Sequence, residues 1–493
     1  MKFLGDIQYS AENYRDRNAF FLNETYYSYT DFARAISKIR KALNSLEISD
    51  KNIGLVANND LETYASIIAL WLEGKAYIPL NPDNPADRNE NVISQAEIRT
   101  ILDSSQQATF QNYSTILTTD LPVCEIDLDP KKVNDDEIAY ILFTSGTTGV
   151  PKGVPISRAN LSGFIKSFEE LGYSITEEDR FLQMFDLTFD LSVMSYLVPL
   201  LKGACVYPVP PDKIKYSYIF ELMDEHDLTF SLMVPSILHY LRPYFHEINC
   251  PKMKYSLFCG EALPEDISQE WSRCLPNAEI INVYGPTEDT IFCTHYTYRR
   301  NAPNKSHNGI LSVGKSMNYN FTIVVNDENE ILPAGEKGEL CLGGIQLTPG
   351  YWRNEEKNKE AFFTVEYNGA PCRFYRTGDL AYKDMDGDML YLGRKDFQVK
   401  VQGFRVELSE IEFHAKTFLT KTNVVAIAFS NAIDNSEIGL VIESDKSDTS
   451  QLLTYLRAQM PAYMVPTQIR FINNFPLNVN GKTDRNKLTE MFK

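Results

Sequence analysis

The feature that most constrains the fold is a regular alternation of helical and strand-like segments in the first half of the chain. Apolar residues recur at helical spacing over residues 29–46, and the apolar run at 52–57 then predicts a strand. Residues 61–80 predict a helix that leads directly into another strand. This alternation predicts an α/β architecture with mostly parallel strands.

The pattern changes after about residue 310, where short strands and tight turns replace the alternation. The Asp386–Gly387 pair predicts a hairpin turn, and a mixture of strands and a helix follows it. A chain of 493 residues is too long for one compact core. We therefore expect a large domain of α/β layers with a small β-region over residues 1–395, followed by a small mobile α+β domain over 396–493.

Composition disfavours several functional classes. Lys and Arg number 48 against 66 Asp and Glu, and the resulting net charge of −18 disfavours a general binder of nucleic acid or anionic membranes. No apolar run reaches the length of a membrane span, and the start of the chain does not resemble a secretory signal. The eight cysteines are scattered without metal-ligand spacing, so we expect reduced thiols and a cytoplasmic location.

A loop rich in glycine and hydroxyl groups follows the strand predicted at residues 138–143. Its residues are Thr144, Ser145, Gly146, Thr147, Thr148 and Gly149, with Lys152 just beyond. Consecutive backbone N–H groups in such a loop can form a nest for an anion, and glycine permits close approach of a phosphate. A plain turn is the alternative. The loop is not a Walker A motif, because Pro151 stands where that motif requires glycine.

The full string TSGTTGVPKGV (144–154) resembles the signature loop of the adenylate-forming enzymes. Further segments resemble motifs of that family in the same order: LFCGEAL, NVYGPTED, GELCLGGIQLTPGYW, YRTGDLAY, YLGRKDFQVKVQGFRVELSEIE and PLNVNGKTDRNKL. Together they span nearly the whole chain, from about residue 70 to 488. The resemblance implies the fold of that family and the use of ATP with Mg²⁺.

The resemblance also implies roles for residues around the nucleotide. Tyr284 would stack on the adenine and Asn282 would meet its amino edge, while Asp379 would accept the ribose hydroxyls and Arg394 would add a ribose or phosphate contact. Thr287 would contact the α-phosphate and Glu288 would hold Mg²⁺. The rest of the expected nucleotide set consists of Gly260, Glu261, Ala262, Val283, Gly285, Pro286 and Tyr391.

Two further residues receive roles from the resemblance. Lys482 would bridge the substrate carboxylate and the α-phosphate, and Asp396 would be the hinge between the domains. After rotation about this hinge, Lys482 would leave the site and the face bearing VQGFRVE would turn toward it. Gly403 would then allow close passage of a pantetheine arm. Only eleven residues follow Lys482, so the thiol is expected on a separate phosphopantetheinyl carrier protein, or less favourably on coenzyme A.

Asp190 lies inside the apolar run FDLSVMSYLVPLLKGA (189–204), and a buried carboxylate is costly unless it is paired. It either caps a helix or, as amino-acid adenylation domains imply, binds the α-ammonium group of the substrate. The same match gives an apolar pocket lining around the charged anchors Asp190 and Lys482: Leu191, Met194, Leu232, Leu257, Cys259, Val283, Ile291 and Phe292. A crowded apolar pocket favours a small amino acid.

Details such as FDLSVM and FCGE are similar to the D-alanine–D-alanyl carrier protein ligases, in which residues matching Met194 and Cys259 crowd the α-carbon of the substrate. D-alanine is therefore the first expectation. Cys259 as a plain core thiol is the alternative reading of that residue. A stand-alone adenylation enzyme for another small L-amino acid, an acyl-CoA synthetase and a non-catalytic nucleotide-binding protein remain alternatives for the function.

Overall fold

The computed structural model describes residues 2–146, 150–396, 398–420, 422–476 and 483–492. A mixed α/β body with a large N-terminal domain is followed by a smaller C-terminal domain, as the sequence predicts. The α-helices of the described residues are Lys2–Asn13, Tyr29–Ser45, Leu61–Leu72, Ala86–Gln95, Arg158–Glu169, Asp190–Lys202, Lys215–Glu225, Ser236–Leu241, Glu265–Cys274, Glu355–Ala361, Leu408–Leu419, Ser450–Gln459 and Arg485–Thr489. Short 3₁₀ turns occupy Arg242–Tyr244, Thr287–Asp289, Ala462–Met464 and Glu490–Phe492.

The helices predicted in the first half form where the sequence places them, and local signals explain their ends. The helix Tyr29–Ser45 begins with a capping box, in which Ser28 Oγ accepts from Asp31 N–H and the Asp31 carboxylate accepts from Ser28 N–H. The helix Leu61–Leu72 is buried along almost its whole length because it packs between layers. Within the described part of the chain, no helix is long and apolar enough to cross a bilayer.

Two large sheets form the N-terminal domain, and most of their strands are parallel. In spatial order the first contains Lys315–Ser316, Thr294–Thr297, Glu279–Tyr284, Tyr255–Phe258, Phe230–Met233, Arg180–Gln183, Cys205–Pro208, Asn18–Leu22 and Thr25–Ser28. The second contains Ser114–Leu117, Thr100–Asp103, Asn52–Val56, Ala76–Leu80, Ile138–Thr144 and Lys152–Ser157. The strands predicted at 52–57 and 138–143 are confirmed within this second sheet.

An antiparallel sheet forms the β-region expected after residue 310. Its order is Asn320–Val325, Lys337–Gly344, Ala370–Lys383 and Phe362–Tyr367, and Met389–Arg394 also pairs with Ala370–Lys383. The predicted hairpin turn at Asp386–Gly387 joins these last two strands, with a hydrogen bond from Asp384 N–H to Asp388 C=O. Ribbons of two strands are formed by Ser306–His307 with Ile310–Leu311 and by Gln398–Val401 with Phe404–Glu407.

The C-terminal domain has its own hydrophobic core, which includes Val406, Ile411, Leu440 and Leu456. Its sheet has the order Val424–Ser430, Ser436–Glu443 and Gln468–Ile472. The helix Leu408–Leu419 packs on this sheet and on the helix Ser450–Gln459. A separate core agrees with the small C-terminal domain expected over residues 396–493.

The parallel strands also determine where the candidate site lies, because their carboxyl ends share one edge of the sheet. The strands Phe230–Met233, Tyr255–Phe258 and Glu279–Tyr284 are adjacent and parallel. Val234, Cys259 and Gly285 follow their carboxyl ends directly. Crevices at the carboxyl ends of parallel strands are the usual binding sites of open α/β sheets.

Candidate active site

A cavity of about 410 Å³ lies where this sheet edge meets the β-region and the C-terminal domain. Its size is typical of small-molecule sites. Seven members of the expected nucleotide set line it, namely Glu261, Ala262, Asn282, Tyr284, Asp379, Tyr391 and Arg394. These residues belong to four separate sequence motifs. The fold brings the four motifs together around one cavity.

Asp379 and Arg394 lie directly opposite each other on two antiparallel strands, and their side chains form an ion pair at 2.7 Å. The second carboxylate oxygen of Asp379 accepts a hydrogen bond from the Tyr284 hydroxyl at 2.5 Å. Arg394 also donates to both carboxylate oxygens of Asp396, each at 2.7 Å. The residues expected to bind ribose and adenine are therefore linked through Arg394 to the expected hinge residue.

A second cavity of about 60 Å³ shares Tyr284, Asp379, Arg394 and Lys400 with the first. The expected site residues on its wall are Asp190, Leu191, Cys259, Gly260, Tyr284, Gly285, Pro286, Thr287, Asp379 and Arg394. The fold thus places the expected amino-acid anchor, Asp190, beside the cavity lined by the expected nucleotide residues.

Asp190 is the first residue of the helix Asp190–Lys202 and is 4% exposed. The capping position belongs to Phe189, which makes no side-chain cap, and Asp190 Oδ2 instead accepts from Ile291 N–H at 3.0 Å. Burial, reinforced by the Glu288 carboxylate, raises the pKa of Asp190 to about 7 although the Ile291 bond lowers it. A buried carboxylate beside a small cavity is well suited to bind an ammonium ion.

The remaining residues expected around the substrate side chain are buried in the core and do not line this cavity. They are Met194, Leu232, Leu257, Val283, Ile291 and Phe292, each at most 2% exposed. Phe292, for example, packs edge-on against Phe164 with ring centroids 5.1 Å apart. Their contact with a substrate therefore stays a prediction.

Cys259 lies on the cavity wall, but its thiol is not activated. Burial raises the pKa of Cys259 to about 12, so the thiol remains protonated at neutral pH. Burial also raises the pKa of Cys293, and the neighbouring Asp289 carboxylate adds to that rise. Neither thiol has the low pKa of a cysteine nucleophile, which agrees with a thiol supplied by another molecule.

Part of the expected phosphate loop is bound by groups of the C-terminal domain. Ser145 Oγ donates to the Arg405 carbonyl at 2.8 Å, and Gly146 N–H donates to the Glu410 carboxylate at 3.2 Å. Thr144 Oγ1 is buried and has no hydrogen-bond partner among the described residues. A carboxylate at a loop N–H shows that this backbone can bind an anion. Thr147 and Thr148 lie outside the described residues.

Glu288, the expected Mg²⁺ ligand, is completely buried. Arg405 Nη1 lies 3.1 Å from both of its carboxylate oxygens, and the Tyr351 hydroxyl donates to one of them at 2.6 Å. Burial opposes ionisation, yet Arg405, Lys152 and Tyr351 together lower the pKa of Glu288 to about 2. The carboxylate is therefore ionised and suits Mg²⁺, which is commonly held by one or two carboxylates plus substrate phosphates.

Lys152 lies near Glu288 and near a second carboxylate, that of Glu407. It begins the strand Lys152–Ser157, directly opposite Thr144 on the neighbouring strand. Its Nζ lies 3.7 Å from the Glu407 carboxylate and above the ring of Tyr351. Burial lowers the pKa of Lys152. A cation at the end of the loop is consistent with the expected phosphate contact.

The segment VQGFRVE packs directly against the N-terminal domain. Gly403 N–H donates to Glu261 Oε1 at 2.7 Å, while Glu261 Oε2 accepts from Ser236 N–H at the same distance. Gly403 has a φ of +84°, and an added Cβ would lie 2.4 Å from Val234 Cγ1. Only glycine permits this close approach without strain. The Glu261 side chain thus links the domains, a role that the adenine motif does not indicate.

Other residues of the site carry no recognisable signal in the sequence. Arg88 forms a buried ion pair with Glu410 at 2.9 Å, although 322 residues separate the two. Arg405 belongs to a segment expected near the site, but its pairing with Glu288 depends on how the domains meet. Lys482, the expected catalytic lysine, lies outside the described residues, so its role stays a prediction.

A protein-family model described as AMP-binding enzyme matches residues 7–352. A linear gramicidin synthase polypeptide of Brevibacillus parabrevis is 31% identical over 97% of this chain, which spans 9% of that protein. A D-alanine–D-alanyl carrier protein ligase from Bacillus licheniformis is 29% identical over 99% of both chains.

The solved structures include the Vibrio cholerae adenylation domain AlmE in complex with glycyl-adenosine-5′-phosphate. That structure matches with a TM-score of 0.87 at 25% identity and covers 99% of this chain and 97% of its own. The fold and the family match therefore agree with the order of motifs found in the sequence.

Proposed function

The chain belongs to the AMP-binding enzyme family, and from this premise we propose that it activates a small amino acid with ATP and transfers it to a phosphopantetheinyl carrier protein. D-alanine is the first candidate substrate. The observation that carries the proposal is the buried Asp190 carboxylate on the wall of a cavity of about 60 Å³ that adjoins the nucleotide cavity. In this arrangement the Asp190 carboxylate can pair with the substrate ammonium, and the adjoining cavity can hold the nucleotide.

In the first half-reaction, an oxygen of the substrate carboxylate attacks the α-phosphorus of ATP. A new oxygen–phosphorus bond forms as the bond to the leaving pyrophosphate breaks. Asp190 holds the ammonium, Thr287 contacts the α-phosphate, and Lys482 stabilises the negative charge that accumulates between the reactants. Glu288 would hold Mg²⁺, which neutralises phosphate charge when bound.

In the second half-reaction, the carrier thiol attacks the acyl carbon. The carbon–sulfur bond forms, AMP departs, and the thiol proton is released to solvent. The domain arrangement of this structure suits that step, because Arg405 occupies the carboxylate of Glu288 and Glu410 occupies the N–H of Gly146. A metal at Glu288 or a phosphate at Gly146 competes with these contacts, so the first half-reaction requires a different domain arrangement.

The small volume of the cavity beside Asp190 supports a substrate with a short side chain. The full-length similarity to a D-alanine–D-alanyl carrier protein ligase favours D-alanine. A small L-amino acid is the second candidate. A fatty acid is disfavoured because it leaves the buried Asp190 carboxylate without a cationic partner, and a buried charge without a counter-charge is costly.

Amino-acid-dependent exchange of labelled pyrophosphate into ATP tests the proposal. The assay compares D-alanine, L-alanine, glycine, serine and a fatty acid under identical conditions. We expect the fastest exchange with D-alanine, although substrates that differ by one methylene are separated by only about 1–3 kcal/mol. Faster exchange with L-alanine favours the second candidate, and no exchange with any acid contradicts the proposed activity.

A further inference from the structure

Arg88 lies beside the expected phosphate loop, and one carboxylate connects the two. Arg88 Nη1 donates to Glu410 Oε1 at 2.9 Å, and Gly146 N–H donates to Glu410 Oε2 at 3.2 Å. The side chain of Glu410 is completely buried, and that of Arg88 is 8% exposed. An anion of the C-terminal domain therefore bridges a guanidinium and a loop N–H that both belong to the N-terminal domain.

The backbone around Arg88 is held against the loop by contacts within the N-terminal domain. Arg88 is the third residue of the helix Ala86–Gln95. Ile93 of this helix packs in the same core cluster as Ile141, which belongs to the strand that leads into the loop. The last residue of the helix donates its Nε2 to the Pro151 carbonyl at 3.2 Å, just beyond the loop. Arg88 is therefore part of the same packed unit as the loop, whereas its carboxylate partner is not.

The Glu410 carboxylate shows how an anion binds at this position. Each of its two oxygens accepts from a different donor, one from the Arg88 guanidinium and the other from Gly146 N–H. A guanidinium matches the geometry of carboxylates and phosphates alike. A phosphate group also offers several negatively charged oxygens, so it can accept from the same two donors. Among the described residues, Glu410 is the carboxylate that forms an ion pair with Arg88.

We propose that Arg88 binds the β- or γ-phosphate of ATP in the place that Glu410 occupies in this structure. The inference rests on the proposed function. In the domain arrangement that adenylation requires, Glu410 withdraws, and phosphate oxygens accept from Arg88 and Gly146 N–H. Departure of pyrophosphate frees both donors, and Glu410 binds them as the carrier-loading arrangement forms. Release of pyrophosphate and movement of the small domain are thereby coupled through one pair of donors.

The test compares two nucleotides that differ in the phosphates that Arg88 is proposed to bind. The probes are ATP, and AMP, which lacks the β- and γ-phosphates. Their dissociation constants are measured by calorimetry with Mg²⁺ and without an amino acid, so that no reaction takes place. As a second readout, the KM for inorganic pyrophosphate is measured in the exchange reaction at saturating ATP and amino acid.

In Arg88→Met we expect the dissociation constant of ATP to rise roughly tenfold, the loss expected for a charge-assisted hydrogen bond, and that of AMP to stay constant. The KM for pyrophosphate should rise by a similar factor, while the KM for the amino acid stays constant. Arg88→Lys retains the positive charge and is expected to recover part of the affinity for ATP.

Glu410→Gln separates phosphate binding from the contact between the domains. This variant removes the charge that pairs with Arg88, so it should bind ATP at least as tightly as the unmodified protein, while loading of the carrier falls. If Arg88 served the domain contact alone, Arg88→Met and Glu410→Gln would both lose carrier loading and keep the affinity for ATP. That result overturns the proposal, as does an equal loss of affinity for ATP and AMP in Arg88→Met.

Arg353→Met is the matched control, because it removes a guanidinium that pairs with Glu97, two residues beyond the helix of Arg88. This pair is exposed, and the affinities of the variant for ATP and AMP should equal those of the unmodified protein. Absence of amino-acid-dependent pyrophosphate exchange in the unmodified protein contradicts the proposed function. The affinities of the Arg88 variants for ATP test the present inference separately, because they are measured without catalysis.

Discussion

Arg405 Nη1 lies 3.1 Å from each carboxylate oxygen of Glu288, so a residue of the C-terminal domain neutralises the carboxylate expected to hold Mg²⁺. A guanidinium and a metal ion compete for the same two oxygens. The pairing therefore links the charge at the phosphate site to the position of the small domain. It also explains how a buried carboxylate stays ionised while the domains are in contact.

Replacement of Arg405 by methionine tests this relationship. Loss of one partner of a buried ion pair costs about 3–5 kcal/mol, and Tyr351 and Lys152 remain near Glu288 to offset part of it. We expect transfer to the carrier to fall by roughly tenfold or more, with a smaller effect on pyrophosphate exchange. Arg353→Met, at an exposed pair with Glu97, is the control. Equal losses in both half-reactions contradict the assignment.

Replacement of Gly403 by alanine is expected to hinder the domain contact. The new Cβ lies 2.4 Å from Val234 Cγ1, and the φ of +84° adds roughly 1 kcal/mol of backbone strain. Carrier loading should fall strongly while pyrophosphate exchange persists. Added Val234→Ala should restore loading in part, because it removes the clash but not the strain.

Gly387→Ala is the matched control for Gly403→Ala. Gly387 has a similar φ of +91°, yet the nearest atom to an added Cβ is Lys315 Cε at 4.0 Å. The variant therefore carries the strain without the clash, in a hairpin turn outside both cavities. Loading by Gly387→Ala should resemble the wild type, and an equal defect in both variants attributes the effect to strain alone.

The amino-acid affinity should depend on pH through Asp190. Burial raises the pKa of Asp190 to about 7, so the carboxylate gains a proton and loses its attraction for the ammonium as the pH falls below that value. The KM for the amino acid should then rise by about tenfold for each pH unit below the pKa. Steady-state exchange measured between pH 5.5 and 8.5 gives this profile.

Two variants identify the group responsible for that profile. Asp190→Asn removes the charge, so the KM for the amino acid should be high and almost independent of pH, while the KM for ATP changes little. Asp289→Asn is the comparison, because burial also raises the pKa of Asp289 to about 7. If the pH profile persists in Asp190→Asn and disappears in Asp289→Asn, the pH dependence belongs to Asp289 and the prediction for Asp190 is wrong.

Lys482 is expected to act only in adenylation. Lys482→Ala should abolish pyrophosphate exchange but retain carrier loading from a supplied aminoacyl-adenylate, because the lysine is expected to leave the site before the thiol attacks. Loading is measured by the mass of the intact carrier. Lys487→Ala, at an exposed lysine of the helix Arg485–Thr489, is the control. Equal loss of both steps in Lys482→Ala would falsify the assigned role.

The sequence alone determined the local elements and the family. Periodicity predicted the helix Tyr29–Ser45 and the strand Asn52–Val56 because side-chain spacing fixes which face of an element is buried. The order of motifs identified the family and named Asp190, Tyr284, Asp379 and Arg394, which the structure gathers around two adjoining cavities. Such motifs can be recognised in the sequence because each consists of one short segment with a fixed set of side chains.

The tertiary structure alone decided which groups meet between the domains. Arg405 and Glu288 are 117 residues apart, and Gly146 and Glu410 are 264 apart, so no local pattern links them. These contacts depend on the relative position of two separately packed cores. Gly403 N–H likewise donates to the Glu261 carboxylate 142 residues away, a contact that no spacing in a single segment can express.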